Sequence, residues 1–174
     1  SDTMAYAIAQ KFGHAQADDD NRERLLASYA GLLTWVDTLP LDYAIGKLRF
    51  VHAGYDLSVS NPVSLTSEEM KLWAREDYWY GQQDGVFAHN PLPCTIVSGH
   101  TPTGYIEGRY EGDVHPAKVM NFTRHPVYSV QYPGEFARIF IDGGNHGGSD
   151  EASGNIVVLD SQSGQLLEKF EDAQ

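Results

Sequence analysis

Residues 95–102 read TIVSGHTP, and this stretch decides how the rest of the chain is interpreted. A run typical of a buried strand leads into a glycine, and His100 follows that glycine directly. The arrangement occurs twice more, because residues 48–54 read LRFVHAG with His52 after the strand, and residues 138–144 read RIFIDGG with Asp142. Each strand should therefore present one titratable side chain beside residues small enough to let a ligand approach the backbone. The pattern predicts a site at the ends of three strands.

Histidine at two of these strand ends indicates a metal site, because neutral imidazole is a common metal ligand. His52 and His100 are far apart in the sequence, so they form no compact ligand motif. On local chemistry alone, ordinary hydrogen-bonded histidines at strand ends remain an alternative. The histidines without a comparable setting are interpreted as surface or loop residues: His14, His89, His115 and His125.

Outward from these strand ends, the sequence predicts a helical N-terminal part and a mainly β remainder. Residues 1–40 are expected to be helical with a break at Gly13, and the second helix is expected to start with Asp20 and Glu23 as a capping box. Its apolar residues recur at helical spacing and are interpreted as a face packed in the core. One more helix is expected near residues 66–78, capped by Thr66 or Ser67.

Short β-type runs separated by glycine, proline and asparagine follow. Strands are expected at residues 47–51, 95–98, 127–131, 138–141, 156–160 and 165–170, and the last two are expected to form a hairpin. The long loops at residues 79–94 and 101–126 are expected to carry function. The chain is thus expected to be a single α+β domain over residues 1–174.

Composition and charge exclude several classes of function. The 174 residues, 41% of them hydrophobic, describe a globular domain, and no stretch approaches the roughly 20 apolar residues that span a bilayer. A net charge of −12 with no basic run argues against binding to nucleic acid. Cys94 is the only cysteine, so no internal disulfide can form, and this favours a cytoplasmic location. It has no neighbouring base in the sequence, so a catalytic thiol is not expected.

Five short segments, taken in order, resemble the second half of a calcineurin-like metallophosphoesterase of the bacterial Ser/Thr phosphoprotein phosphatase branch. They are FVHAG at 50–54, LWARE at 72–76, VSGHTP at 97–102, IFIDGG at 139–144 with two more glycines at 147–148, and the hairpin at 156–164. The resemblance implies a four-layer αββα sandwich that holds two divalent metal ions. Manganese is the first expectation for these ions, and iron or zinc are the alternatives.

The resemblance also implies roles for individual residues. His52 and His100 match two ligands of the second metal, and Arg75 matches an arginine that binds the substrate phosphate through its planar fork of donors. His146 stands where the family has an aromatic residue before paired glycines, so its possible catalytic role rests on position alone. Asp142 matches a position that orients its loop and is not expected to be a ligand.

In the family that the segments resemble, the remaining ligands lie in a first half with Asp-x-His, Gly-Asp-x-x-Asp-Arg-Gly and Gly-Asn-His motifs, and none of these precedes residue 52 here. Two histidines cannot hold two ions. We therefore expect the chain to be the C-terminal portion of a larger phosphoesterase domain, with the N-terminal half of that domain as its partner. On its own the chain is expected to be inactive.

The leading interpretation is metal-dependent hydrolysis of phosphoserine or phosphothreonine in a protein, by a water that two metals activate. A symmetrical dinucleoside-polyphosphate hydrolase is an alternative, because it shares the His-Ala-Gly and Gly-His-Thr-Pro segments. A non-catalytic fragment or interaction domain is another. The loop at residues 101–126 suits either substrate class through residues that can stack on adenine or cover a phosphopeptide: Tyr105, Arg109, Tyr110, Phe122 and Arg124.

Overall fold

The computed structural model of the protein describes residue 11, residues 19–145 and residues 154–171. The chain divides into two compact units, Ser1–Pro40 and Leu41–Gln174. The expectation of a single domain stays a prediction.

The described residues of the first unit include two short helices, α1 (Asp19–Ser28) and α2 (Ala30–Val36). Helix α1 begins before Asp20, so the predicted capping role of Asp20 is wrong. The predicted core-facing stripe is also wrong for most of its members. Leu25 is buried, and the side chain of Leu33 lies outside the described ones, but four other members are 41–52% exposed: Leu26, Tyr29, Leu32 and Val36.

The second unit is built on a five-stranded mixed sheet with the strand order β1-β2-β3-β5-β4. Strands β2, β3 and β5 run parallel to one another, and β1 and β4 pair antiparallel at the two edges. The strands are β1 (Asp42–Ile45), β2 (Leu48–Val51), β3 (Thr95–Ser98), β4 (Tyr128–Val130) and β5 (Arg138–Phe140). A separate antiparallel hairpin consists of β6 (Ile156–Leu159) and β7 (Leu166–Phe170). All six predicted strands are confirmed, and β1 is an addition.

The two faces of the sheet bury different cores. On one face, Val97 of β3 and Ile139 of β5 pack with residues of the β6–β7 hairpin, including Val157 and Leu166. On the other face, Ile96 and Phe140 belong to a larger, aromatic core, with Tyr55, Tyr78 and Phe87 among its buried members. Alternation along the strands sends neighbouring residues to opposite faces, which explains why β3 and β5 are buried throughout.

The aromatic core encloses the guanidinium of Arg138, which is 0% exposed. Its nitrogens donate to the carbonyl oxygens of Tyr78 (2.7 Å), Trp79 (3.2 Å) and Ala88 (2.6 Å), and it lies over the Tyr78 and Phe140 rings. Burial lowers the pKa of Arg138. The side chain thereby ties strand β5 to the helical segment and to the loop that follows it.

Three short helices precede β3: α3 (Pro62–Leu65), α4 (Glu68–Trp73) and α5 (Glu76–Trp79). Ser67 caps α4 as predicted, because its hydroxyl oxygen accepts a hydrogen bond from the Met70 amide. The single helix predicted near residues 66–78 is instead broken at Ala74 and Arg75, whose backbones leave the helical region. The fold is α+β. No helix in the described ranges is long and apolar enough to cross a membrane.

Candidate functional site

Three polar residues lie together at one edge of the sheet because the three central strands are parallel. His52 follows β2 and His100 follows β3, while Asp142 comes after β5. Hydrogen bonds continue the pairing beyond the strands, from the Gly99 amide to the His52 carbonyl and from the Ile141 amide to the Ser98 carbonyl, both at 2.9 Å. The strand ends are thus held in register up to the residues that carry the site.

The two histidine side chains meet directly. His52 Nε2 lies 3.1 Å from His100 Nδ1, and the ring centroids are 4.9 Å apart at 63°. Two nitrogens bound to one ion at about 2.0–2.1 Å stand about 2.9–3.4 Å apart, depending on the coordination geometry. His100 Nδ1 faces His52 Nε2, whereas His100 Nε2 is buried and has no hydrogen-bond partner among the described residues. The contact is that of a hydrogen bond between two imidazoles, and its length also equals the separation of two nitrogens on one divalent ion.

His100 is held in a strained backbone conformation. Its φ is +68°, which makes it the only non-glycine residue with a positive φ among those described. The Thr101 amide donates to the Gly99 carbonyl at 2.8 Å, so His100 is the central residue of a γ-turn of the rare, strained form. Such a conformation costs on the order of 1–2 kcal/mol and persists where the surroundings impose it, often at functional sites.

Arg75 and Trp73 reach the same site from the broken helix. The Arg75 Nη1 atom donates to the hydroxyl oxygen of Thr101 at 3.2 Å, and the Trp73 ring meets the His100 ring edge-on with centroids 5.5 Å apart. Burial, the Arg75 charge and His52 lower the pKa of His100, with Asp142 acting in the opposite direction. The neutral imidazole, which is the form that binds metals, is thereby favoured.

A group of three charges fastens this helical segment to the sheet. Asp42 on the edge strand bonds Arg49 Nη1 at 2.6 Å and Lys71 Nζ at 2.9 Å, and the Ala53 amide donates to the Lys71 carbonyl. Burial would raise the pKa of Asp42, but the hydrogen bond and charge of Lys71, together with Arg49, lower it overall. Helix α4 is therefore anchored to strands β1 and β2, and His52 follows β2 directly.

Asp142 acts on its own loop. One carboxylate oxygen accepts the Gly144 amide at 2.8 Å, and the Asp142 carbonyl accepts the Thr103 amide at 3.0 Å. These bonds suit the loop-orienting role that the resemblance implies.

His125 is a residue whose importance the sequence did not show. Its interpretation as a surface or loop histidine is incomplete, because the half-buried ring accepts the Gly104 amide at Nδ1 (3.1 Å) and lies against Gly144. A Cβ on Gly144 would stand 2.7 Å from the His125 ring, so only glycine fits there. His125 thus joins the segment after His100 to the segment after β5. A histidine before a proline gives no sequence signal for this role.

His146, the remaining histidine with a predicted role, falls outside the described residues, as does His14. Asp113-Val114-His115 and Gly144-Asn145-His146 spell two patterns of the family's first half, but out of the family's order. Among the described residues, no group of three or more His, Cys, Asp or Glu side chains could hold a metal. Cys94 is half-buried, and burial raises the pKa of its thiol.

The aromatic residues of the 101–126 loop divide into two sets. Tyr110 is 4% exposed and belongs to the core, so it is unavailable for stacking on a ligand. Tyr105 and Phe122 are 36% and 63% exposed, and their rings contact each other with centroids 5.2 Å apart.

No family model matches this chain, and neither a curated protein nor a solved structure matches it. The residues of the site are therefore the basis for inferring function.

Proposed function

We propose that this protein is part of a metal-dependent phosphoester hydrolase that acts on phosphoserine or phosphothreonine in proteins. One observation carries the proposal: His52 Nε2 and His100 Nδ1 converge at 3.1 Å, beside the Arg75 guanidinium, at the carboxyl edge of three parallel strands. Metal ligands beside an arginine are a combination that suits a phosphoryl group.

The chain's own residues would divide the work as follows. His52 and His100 would hold one divalent ion, for which manganese, iron and zinc are candidates. Imidazole nitrogen suits iron and zinc, and manganese would depend more on the oxygen ligands that complete the site. A pair of such ions supplies an activated water and neutralises phosphoryl charge when bound. Arg75 would bind phosphoryl oxygens. Thr101 engages one of the five N–H donors of its guanidinium, and the exposed side chain can offer other donors to a phosphate. Thr101, only 2% exposed, fixes the direction of the guanidinium.

The site needs further ligands, including a carboxylate that bridges the two ions. We propose that these come from the N-terminal half of an αββα sandwich, in which the sheet, the β6–β7 hairpin and the short helices form part of the layers. The isolated chain is then inactive. The packing of the hairpin on one face of the sheet and of the aromatic core on the other supports this arrangement.

Metal content and phosphate release from the intact source protein test the proposal. The expected result is about two equivalents of bound divalent metal and release of phosphate from a phosphoserine peptide, with a loss of at least about 100-fold in His100→Ala. His115→Ala is the matched control, because His115 is exposed and contacts Tyr110 rather than the site. Full activity in His100→Ala together with no bound metal would contradict the proposal.

A second candidate, hydrolysis of a dinucleoside polyphosphate, is favoured by one observation. Phe122 offers an exposed ring on which a nucleobase can stack. Comparing phosphate release from a phosphoserine peptide with cleavage of diadenosine tetraphosphate separates the two substrates, and the proposal predicts the higher kcat/KM for the peptide.

A further inference from the structure

We infer that the Tyr105–Phe122 pair is a specificity surface that binds an apolar side chain of a phosphorylated peptide while its phosphate occupies the Arg75 site. The inference rests on the proposed function and adds the kind of substrate that the site selects. The two rings contact each other at 52°, and Phe122 keeps 63% of its surface exposed. Exposed aromatic side chains that are already held in place are well suited to anchor an apolar group.

The segment that carries the aromatic pair is rigid. Lys118 Nζ donates to the carbonyl oxygens of Thr103 (2.8 Å) and Ile106 (2.6 Å), so it closes the turn that contains Tyr105. The Asn121 amide donates to the Gly104 carbonyl at 2.8 Å, which fastens the turn that carries Phe122 to the 3-10 helix Thr103–Tyr105. The rings therefore lose little freedom when a ligand binds.

The aromatic pair lies close to the phosphate-binding arginine along the chain. Thr101 accepts the Arg75 hydrogen bond, and Tyr105 is separated from it by only three residues. A chain segment of this length spans at most about 14 Å between Cα atoms. A peptide of a few residues covers the same distance, so one substrate can reach both places.

The charges beside Arg75 decide between a peptide and a nucleotide. Glu76 and Asp77 follow Arg75 directly and are exposed at the start of α5, and the chain as a whole carries a net charge of −12. A nucleoside polyphosphate brings several negative charges to this surface. A peptide with one phosphate and neutral or basic neighbours is repelled less. The occupant we assign is therefore a singly phosphorylated peptide with an apolar residue near the phosphate.

The test uses the intact protein and four probes. They are p-nitrophenyl phosphate, diadenosine tetraphosphate, an alanine-rich phosphoserine peptide, and a set of that peptide in which one phenylalanine is moved from three positions before to three positions after the phosphoserine. Binding is measured by fluorescence anisotropy and hydrolysis by phosphate release. We expect at least one phenylalanine position to bind about tenfold more tightly than the alanine peptide. We also expect Phe122→Ala to abolish that preference, so that the variant binds every phenylalanine peptide as weakly as the alanine peptide.

Phe170→Ala is the matched control, because Phe170 is a 50% exposed phenylalanine on the hairpin strand β7. It should leave both the preference and the hydrolysis unchanged. Phe122→Leu, which keeps an apolar side chain, should retain part of the preference. This variant keeps the inference testable if the alanine variant does not fold.

The outcomes separate the inference from the proposed function. Equal binding of all peptides by a protein that hydrolyses them overturns the inference and leaves the proposed function standing. A phenylalanine preference that depends on Phe122, without hydrolysis of any probe, supports the surface and overturns the phosphatase. Absence of both binding and hydrolysis overturns both. If Phe122→Ala instead reduces only the cleavage of diadenosine tetraphosphate, the occupant is a nucleobase and the peptide assignment is wrong.

Discussion

At the scale of single residues, the strained backbone of His100 lowers the free energy of unfolding of the protein. A glycine adopts a φ of +68° without steric cost, so His100→Gly should raise the free energy of unfolding by up to about 1 kcal/mol while removing a metal ligand. Chemical denaturation of the two proteins measures the change. His52→Gly is the control, since His52 has no positive φ and the added chain entropy should lower stability there. Destabilisation by His100→Gly equal to that of the control would show that the turn is not strained.

The same scale shows what sequence reasoning could and could not predict. The proximity of His52 and His100 is predictable, because each directly follows one of two parallel strands that are neighbours in the sheet. That they bind a metal stays a prediction. Arg138 gave no such signal, since its burial depends on three carbonyl groups supplied by distant parts of the chain. His125 was missed for a similar reason, because its partners Gly104 and Gly144 become neighbours only when the loops fold.

At the scale of elements, the charges of Asp42, Arg49 and Lys71 hold helix α4 against the sheet. The folded-state pKa of Asp42 is lowered, so its contribution to stability is present above the unfolded pKa of about 3.9 and is lost as the pH falls through the folded value. Asp42→Asn should lower the free energy of unfolding at pH 7 by about 1–2 kcal/mol and flatten its pH dependence below about pH 4. Urea denaturation between pH 2.5 and 7 measures both effects.

Glu168→Gln is the control for this prediction, because Glu168 is an exposed carboxylate on β7. An Asp42→Asn protein with the same stability and the same acid profile as this control would show that the three charges do not anchor the helix.

A second element-scale prediction concerns the 79–94 loop, where His89 bonds Glu111 at 3.0 Å and Glu135 at 2.6 Å. The hydrogen bond that His89 donates to the Glu111 carboxylate, together with its bond to Glu135, raises the pKa of His89 against the opposing effect of burial. The contribution of His89 to the free energy of unfolding is therefore fully present below the unfolded pKa of about 6.5. It is lost as the pH rises through the higher pKa of the folded state. The protection factors of the loop amides, which are corrected for the intrinsic rise of exchange with pH, should fall across that window in the wild type, and His89→Gln should remove this fall. Identical pH profiles in both proteins would contradict the assignment.

Prediction of the elements succeeded where local patterns suffice. The six predicted strands each have a run of apolar residues between turn residues, which specifies them without knowledge of their neighbours. Strand β1 was missed because its residues Tyr43 and Ile45 are exposed at a sheet edge, so its pairing with β2 decides its conformation. The break at Arg75 is likewise imposed by contacts, among them the bond from Arg75 to Thr101.

At the scale of the whole molecule, the net charge of −12 opposes the approach of an anionic substrate. The proposed function therefore predicts that kcat/KM of the intact protein for a phosphoserine peptide rises as monovalent salt increases from about 10 to 150 mM, because screening weakens this repulsion. As a control, sodium chloride is replaced by potassium chloride at the same ionic strength, which should leave kcat/KM unchanged. A steep fall in kcat/KM with salt would indicate attraction instead, and would contradict this reading of the charge.

The central claim is that His52 Nε2 and His100 Nδ1 bind one divalent ion. The most direct test is a zinc titration of the protein labelled with ¹⁵N at its histidines, followed by NMR. Metal binding changes the chemical shift of the nitrogen that is bound. We predict that His52 Nε2 and His100 Nδ1 shift together at the same zinc concentration, while the ring nitrogens of His115 and His125 stay unchanged. Shifts at other histidines first, or at only one of the pair, would contradict the account.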